Sequence, residues 1–246
     1  MGRVEVHFLG TGDAVGSGGR FQTCFLVRRG EGNFLIDCGA SSLTAMRRFG
    51  VDPGGIDQIL ISHLHGDHFG GIPFFILDAQ FGRRTRPLYL AGPPGVEDRV
   101  RAAMEVFFPG SSKVERKFAV EFVELVEHTP ISVGPLTVTS YPAIHPSGAP
   151  SGALRVGFDG RIISYSGDTE WTESLVEAAR GADLFICEAY FFDKKVKYHL
   201  DCKTILEQRA RLECGRIILT HMNRDMLSRL GGLDLESAED GKILAL

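Results

Sequence analysis

No stretch of this chain approaches the roughly 20 consecutive apolar residues that a bilayer-spanning helix requires, which excludes an integral membrane protein of the helical kind. A signal-peptide core is also missing: Met1-Gly2-Arg3-Val4-Glu5-Val6 runs straight into a strand-like pattern, and a cytoplasmic protein is expected. Cysteine is scarce, with five residues (Cys24, Cys38, Cys187, Cys202, Cys214), an odd set with no close pair. That argues against a disulfide framework and against a CxxC zinc knuckle. Cys24, Cys38 and Cys187 stand beside apolar, strand-like residues and are expected to be small buried hydrophobes. A surplus of positive charge is lacking as well, since 27 Lys+Arg face 31 Asp+Glu for a net charge of −4. An RNA-binding surface would therefore have to be a local patch. Arg83-Arg84-Thr85-Arg86, then Lys113 with Arg116 and Lys117, then Lys194-Lys195 with Lys197 are the available clusters, and each is expected to be solvated surface. Linkers, low-complexity tracts and short-period repeats are not evident.

What is present is an ordinary globular composition, 43% hydrophobic and 24% charged, sufficient for a sizeable core. The length suits one domain over 1–246, with room for an internal duplication. Residues 3–9, 21–28 and 33–36 read as an opening antiparallel set joined by glycine-rich turns. Ser41 is positioned to N-cap a short helix through Phe49, stopped by Gly50. A strand over 58–62, a helix over 69–81, a strand over 87–91 and a helix over 96–108 follow. The second half offers strands over 120–127, 136–144, 153–158 and 161–166, then a helix over 170–180 closed by Gly181. A strand over 184–188, a helix from Asp201 to about Cys214 and a strand over 216–220 complete the pattern. Phe34-Leu35-Ile36-Asp37-Cys38-Gly39 and Ile163-Ser164-Tyr165-Ser166-Gly167-Asp168 occupy matching places, each a strand, an acidic turn and then a helix. The expected architecture is α/β: a four-layer αββα sandwich with two-fold internal pseudo-symmetry.

The densest chemistry lies in His63-Leu64-His65-Gly66-Asp67-His68, three imidazoles and a carboxylate within six residues of a chain that has eight histidines. Imidazole is the commonest metal ligand among side chains. Histidines at i and i+2 do not share a helical face, but they splay from an extended or turning segment into one cleft. This run, His145, Asp168 and His221 all fall just beyond the carboxyl ends of expected strands, the edge where layered α/β proteins build ligand sites. The candidate ligands are His63, His65, Asp67, His68, His145, Asp168 and His221. A catalytic zinc normally keeps about three protein ligands and a water, so this set suits two metals with one carboxylate bridging.

In this order the motifs resemble the metallo-β-lactamase superfamily over nearly the whole chain. Within it they look most like the ribonuclease Z-type phosphodiesterase branch. The branch resemblance is carried by Phe8-Leu9-Gly10-Thr11-Gly12, Ile36-Asp37-Cys38-Gly39, Ser166-Gly167-Asp168-Thr169, Ala182-Asp183-Leu184-Phe185-Ile186-Cys187-Glu188-Ala189 and Leu219-Thr220-His221. The resemblance implies the metallo-β-lactamase sandwich and two divalent metal ions, zinc first, with manganese and iron also suited to imidazole and carboxylate. It assigns His63, His65 and His145 to one ion and Asp67, His68 and His221 to the other, with Asp168 between them. Asp67 would also be catalytic, because the paired ions act on a shared water. His199, in Tyr198-His199-Leu200-Asp201, would contact the scissile phosphate or assist the leaving group, a task suited to an imidazole near pH 7.

Outside the ligand set, Glu188 is a candidate to hold His199 or another ligand. Asp37 is a candidate to pin the backbone of the histidine run, and the glycine-rich loop over 10–20 could approach substrate. His7 is expected to be structural and His128 exposed.

The resemblance also has a gap. Ribonuclease Z enzymes carry a tRNA-gripping arm between the third-motif histidine and the bridging aspartate, whereas His145 and Asp168 are separated here by 23 residues, enough for a loop and two strands. Affinity for RNA rests largely on phosphate neutralisation, for which this acidic chain offers no obvious surface. The leading expectation is a dinuclear metal-dependent hydrolase, a phosphodiesterase acting on small, cyclic or nucleotide-type phosphodiesters. The alternatives are a ribonuclease Z-type tRNA 3′ endonuclease, a thioester or lactone hydrolase on the same site, and a metal-binding module without turnover. A membrane partner is not expected; RNA as a partner and a homodimeric assembly stay open.

Overall fold

A computed structural model describes residues 4–30 and 32–246. Arg3, expected at the start of the first strand, lies outside the described residues. The chain opens with the antiparallel set β1 (Glu5–Gly10), β2 (Cys24–Arg28) and β3 (Asn33–Ile36). Next come α1 (Ser42–Arg48), β4 (Ile56–Leu60), the single turn α2 (Gly66–Phe69), α3 (Ile72–Phe81), β5 (Leu88–Gly92), α4 (Val96–Phe107) and β6 (Val120–Glu124). The second half holds β7 (Ile131–Val133), β8 (Leu136–Ala143), β9 (Ser151–Phe158), β10 (Arg161–Tyr165), α5 (Glu173–Ala179), β11 (Leu184–Glu188) and α6 (Cys202–Gln208). It closes with β12 (Ile217–Thr220), α7 (Arg224–Ser228), β13 (Glu236–Ser237) and β14 (Ile243–Ala245).

Two seven-stranded sheets result, ordered β14-β1-β2-β3-β4-β5-β6 and β13-β12-β11-β10-β9-β8-β7. In each, an antiparallel group passes into a parallel group: at β3–β4 in the first sheet and at β10–β11 in the second. This repetition is the internal pseudo-symmetry expected from the matching strand–acid–helix segments. Side chains alternate across each strand. Phe25 and Val27 enter the core between the sheets, while Cys24 and Leu26 turn to a second core under α1, α3 and α4. Leu184 and Ile186 likewise face inward, and Phe185 and Cys187 face a third core under α5, α6 and α7. With both faces covered, these strands read as continuous apolar runs. Edge-on aromatic pairs cross the inner core, Phe25 with Tyr165 at 5.3 Å and Phe34 with Phe158 at 5.2 Å between ring centres. The architecture is the αββα sandwich of the α/β class.

Several local expectations are corrected. The helix over 69–81 is broken at Gly70-Gly71, because Gly71 packs against the backbone after β3, where a Cβ would lie 2.3 Å from the Gly39 carbonyl oxygen. The helix over 170–180 starts only at Glu173: the Thr172 hydroxyl accepts from Ser174 N, and Glu170 instead accepts from Tyr198 N. Asp201 caps α6 as expected, accepting from Thr204 N, but the helix tightens after Gln208 rather than reaching Cys214. Ser41 precedes α1 without capping it, since its hydroxyl accepts from Gln22 N. The expectation of a solvated Arg83-Arg84-Thr85-Arg86 fails at Arg84, which is buried. Its guanidinium donates to the carbonyls of Ile56, Arg86 and Pro87 and pairs with Asp57.

Cys24, Cys38 and Cys187 are buried as expected, His7 is buried against Phe49, and His128 is exposed. Among the described residues no helix is long and apolar enough to cross a membrane.

Gly39 sits where a Cβ would fall 2.3 Å from the Asp67 carbonyl oxygen. Gly39→Ala is expected to lower stability in urea unfolding by about 1–3 kcal/mol, the usual range for overpacking. Gly30→Ala, with open space around it, should stay within about 0.5 kcal/mol of the parent.

Candidate metal centre

The histidine run leaves the carboxyl end of β4, and His65 is extended (φ −88°, ψ 150°) before the chain coils into α2. From the facing sheet come His145 after β8, Asp168 after β10 and His221 after β12. Two of the turns are held in left-handed backbone, Asp37 at φ 56° and His221 at φ 55°. Such conformations persist only where the surroundings impose them. Here Asp37 N donates to Leu60 O, and His221 N donates to Thr11 O.

All seven expected ligands converge. Asp168 Oδ2 lies 3.9 Å from His63 Nε2, 3.9 Å from His145 Nε2, 3.4 Å from His68 Nε2 and 3.5 Å from His221 Nε2. Asp67 Oδ2 lies 3.2 Å from both His68 Nε2 and His221 Nε2, and His65 Nδ1 faces His145 Nε2 at 2.9 Å. Donor atoms of His63, His65 and His145 form one group within 4.8 Å, and those of Asp67, His68, Asp168 and His221 form another. Every member is buried except the half-buried His65.

The tautomers follow from the outer partners. The single Ser62 hydroxyl proton goes to Asp37 Oδ2 at 2.8 Å, so His63 Nδ1, 3.0 Å from Ser62 Oγ, must be the donor there. His68 Nδ1 donates to Asp37 Oδ2 at 2.7 Å, and His145 Nδ1 donates to the Tyr198 carbonyl at 2.9 Å. Three imidazoles thus turn Nε2 inward, as metal ligands do when an outer acceptor holds the other nitrogen. His221 is similarly placed, its Nδ1 3.4 Å from Glu188 Oε1.

Asp37, Asp67, Asp168 and Glu188 are all buried at this edge. Burial pushes the Asp37 carboxyl up despite its bonds from His68 and Ser62. Burial works the same way on Asp67, yet His68 and His221 hold that carboxyl well below the usual range. Burial, with help from His68, lowers His63. It also opposes protonation of His68 and His221, but the surrounding carboxylates outweigh it, raising His68 well above the ordinary imidazole value and His221 to about 10.

The donors fit a pair of divalent cations on two counts. His63 Nε2, His68 Nε2 and Asp168 Oδ1 are buried without a hydrogen-bond partner among the described residues. The imidazole and carboxylate donors, clustered around Asp67 and Asp168, are also the types that bind divalent cations.

His199 joins the group from the loop between β11 and α6. Its Nδ1 is hydrogen-bonded to Glu188 Oε1 and lies 4.0 Å from Asp168 Oδ2, and its ring stacks on Tyr190 at 4.5 Å. Glu188 is thus the holder of His199, and its other oxygen accepts from Thr169 N and Leu200 N. Asp37 does pin the histidine run, accepting from Ser62 N at 2.8 Å.

Three contributors escaped the sequence reading. They are the Ser62 relay, the Tyr198 carbonyl that orients His145, and the Tyr190 ring beneath His199. Only Ser62, adjoining the run, carried a signal. The glycine-rich loop supports the site from behind: Asp13 binds Ser17 N and its hydroxyl, Arg20 donates to Thr11 Oγ1, and Thr11 O receives His221 N.

A family model described as anti-Pycsar protein Apyc1 matches residues 4–234. Among characterised proteins, the chain is 29% identical to a ribonuclease Z of Methanothermobacter thermautotrophicus, covering 89% of this chain and 87% of that one. Its fold is similar to human tRNase Z, short form (25% identity, TM-score 0.80, 98% of each chain). It is also similar to the metallo-β-lactamase fold protein YhfI of Bacillus subtilis (20% identity, TM-score 0.79, 100% of each chain).

Because Asp37 Oδ2 accepts from His68 Nδ1, Asp37→Asn is expected to weaken zinc binding by about 10–100-fold, the usual effect of losing a partner behind a ligand. Competition against a chromophoric chelator measures this, and unchanged affinity would show that the carboxylate does not tune the site.

Proposed function

The chain belongs to the family of the anti-Pycsar protein Apyc1, within the metallo-β-lactamase superfamily of metal-dependent hydrolases, and on that footing we propose that it is a phosphodiesterase for small phosphodiesters, cyclic or nucleotide-type. One divalent ion would be held by His63, His65 and His145, the other by Asp67, His68 and His221, with Asp168 shared, and zinc is the first choice for these ligands. Such an ion pair supplies Lewis acidity, activating water and offsetting charge on the phosphoryl oxygens.

The observation that carries this reading is the convergence of four Nε2 atoms on Asp168 Oδ2. The protein's own groups divide the remaining work. Asp67, kept ionised between His68 and His221, accepts a hydrogen bond from the attacking water and fixes its direction. His199 has Nδ1 committed to Glu188 and its ring plane set by Tyr190, which leaves Nε2 to face substrate. Burial opposes protonation of His199, but its bond to Glu188 outweighs that and raises its pKa. It therefore acts as the imidazolium: Nδ1–H stays with Glu188, Nε2–H passes to the departing alkoxide as the P–O bond breaks, and solvent returns the proton.

Small substrates are favoured by what fills the interval between His145 and Asp168. β9 and β10 occupy it, joined by the tight turn Asp159-Gly160 with φ of 47° and 73°, and no segment is left over for an arm. Pre-tRNA cleavage is the second reading, favoured by the likeness to ribonuclease Z proteins. The proposed site of action is the cytoplasm, with one hydrolase domain spanning 1–246.

A substrate panel separates the readings: bis(p-nitrophenyl) phosphate, cyclic mononucleotides, a tRNA precursor, a thioester and a lactone, each with added zinc or manganese. Hydrolysis of the small phosphodiesters is expected, and Asp67→Ala should abolish it. His199→Ala should lower kcat by about 10²–10³-fold, in the range for loss of a general acid, while bound metal stays at the parental level. Turnover confined to the precursor, the thioester or the lactone would overturn the phosphodiesterase assignment, as would full activity in Asp67→Ala.

A further inference from the structure

The candidate metal centre opens to solvent on one side. Of its seven expected ligands only His65 is half-buried, and His199 beside them keeps 21% of its side chain exposed. The His145 ring lies between these two, 4.8 Å from His65 and 5.1 Å from His199. A substrate that reaches both the ligands and His199 therefore lies along His145.

Two large apolar side chains stand uncovered beside His145. Ile144, which precedes it, is 47% exposed, and Tyr198, which precedes His199, is 40% exposed. Glu170 joins their backbones: its N donates to Ile144 O at 3.4 Å, and its Oε1 accepts from Tyr198 N at 2.9 Å. The Tyr198 carbonyl is fixed in turn by His145 Nδ1. The Tyr198 ring is perpendicular to the His145 ring, 6.5 Å away between centres. Among the described residues that ring meets no other, and its hydroxyl has no hydrogen-bond partner.

Tyr198 also has a φ of 72°, in the left-handed region that glycine enters freely and other residues disfavour. Residues held in this way cluster at active sites and ligand clamps. The hydrogen bonds that fix Tyr198 use only its backbone, so glycine would serve the fold there without the strain. The ring is not accounted for by packing or by hydrogen bonding. A free aromatic face on a fixed backbone is the surface on which nucleobases stack.

We propose that Tyr198 determines specificity, its ring stacking on a base carried by the scissile phosphate. The inference rests on the phosphodiesterase reading and adds to it the side chain that recognises the body of the substrate. Stacking needs only a π-face, so purines and pyrimidines are both accepted.

Two esters with the same leaving group test this on the full-length, metal-loaded protein: thymidine 5′-(p-nitrophenyl phosphate) and methyl p-nitrophenyl phosphate. For the parent, kcat/KM on the nucleoside ester should exceed that on the methyl ester by at least about fivefold, the low end of what stacking one base supplies. Tyr198→Ala should remove this preference, chiefly through KM, and Tyr198→Phe should keep it. A structural role for the ring would instead lower both esters alike in Tyr198→Ala, and that result overturns the proposal. Loss of the preference in Tyr198→Phe, or its retention in Tyr198→Ala, does so as well. Turnover of both esters by the parent without preference overturns this inference alone, whereas hydrolysis of neither overturns the phosphodiesterase reading together with it.

Discussion

Four acidic side chains, Asp37, Asp67, Asp168 and Glu188, are withdrawn from water at one edge of the sandwich, and the arrangement of that edge answers to this constraint. A buried charge costs several kcal/mol unless it is paired and its lone pairs are filled. Asp37 is filled by Ser62 and His68, and Glu188 by Thr169 N, Leu200 N and His199. Asp67 and Asp168 are surrounded by inward-facing imidazoles. Asp37 ties the end of β3 to the histidine run, Glu188 ties the end of β11 to the turn after β10 and to the loop before α6, and the contacts of Asp67 and Asp168 cross between the sheets. The network that orients the proposed ligands is therefore also what locks the two halves together at this edge.

The internal pseudo-symmetry clarifies how the site was divided. The end of β3 carries Asp37 and the end of β10 leads to Asp168, the same place in each half. In both, the chain turns through left-handed backbone, at Asp37 itself in the first half and at Gly167 in the second. Asp37 comes one residue after β3 and Asp168 three after β10, and this two-residue offset separates their tasks. Asp37 lies behind the imidazoles and fixes His68 and Ser62, whereas Asp168 reaches the middle of the cluster. The same strand–turn unit thus supplies the outer support on one side and the central carboxylate on the other.

Part of the chain's positive charge is spent on the fold itself. Several arginines are consumed by the fold: Arg84 ties three carbonyls and Asp57, Arg20 bonds Thr11 and Ala238, and Arg155 holds the end of α5 through Ala178 and Arg180. Cations committed in this way are not available to neutralise a phosphate backbone.

The order of strands and helices, the two-fold pattern and all seven candidate ligands were legible because they depend on local signals. Apolar runs mark strands buried on both faces, and polar residues at their carboxyl ends mark a site edge. The short elements β7, α7, β13 and β14 left no such trace, since two to five residues carry no periodicity; β14 exists only because β1 offers it an unpaired edge. The break at Gly70-Gly71, the burial of Arg84, the Ser62 relay and the stacking of His199 on Tyr190 likewise depend on contacts between segments far apart in the chain. Sequence by itself determined which chemical groups are present and which strand ends carry them. Tertiary structure alone decided which nitrogen of each imidazole faces inward and which acid stands at the centre, because hydrogen-bond partners are set by distance in space.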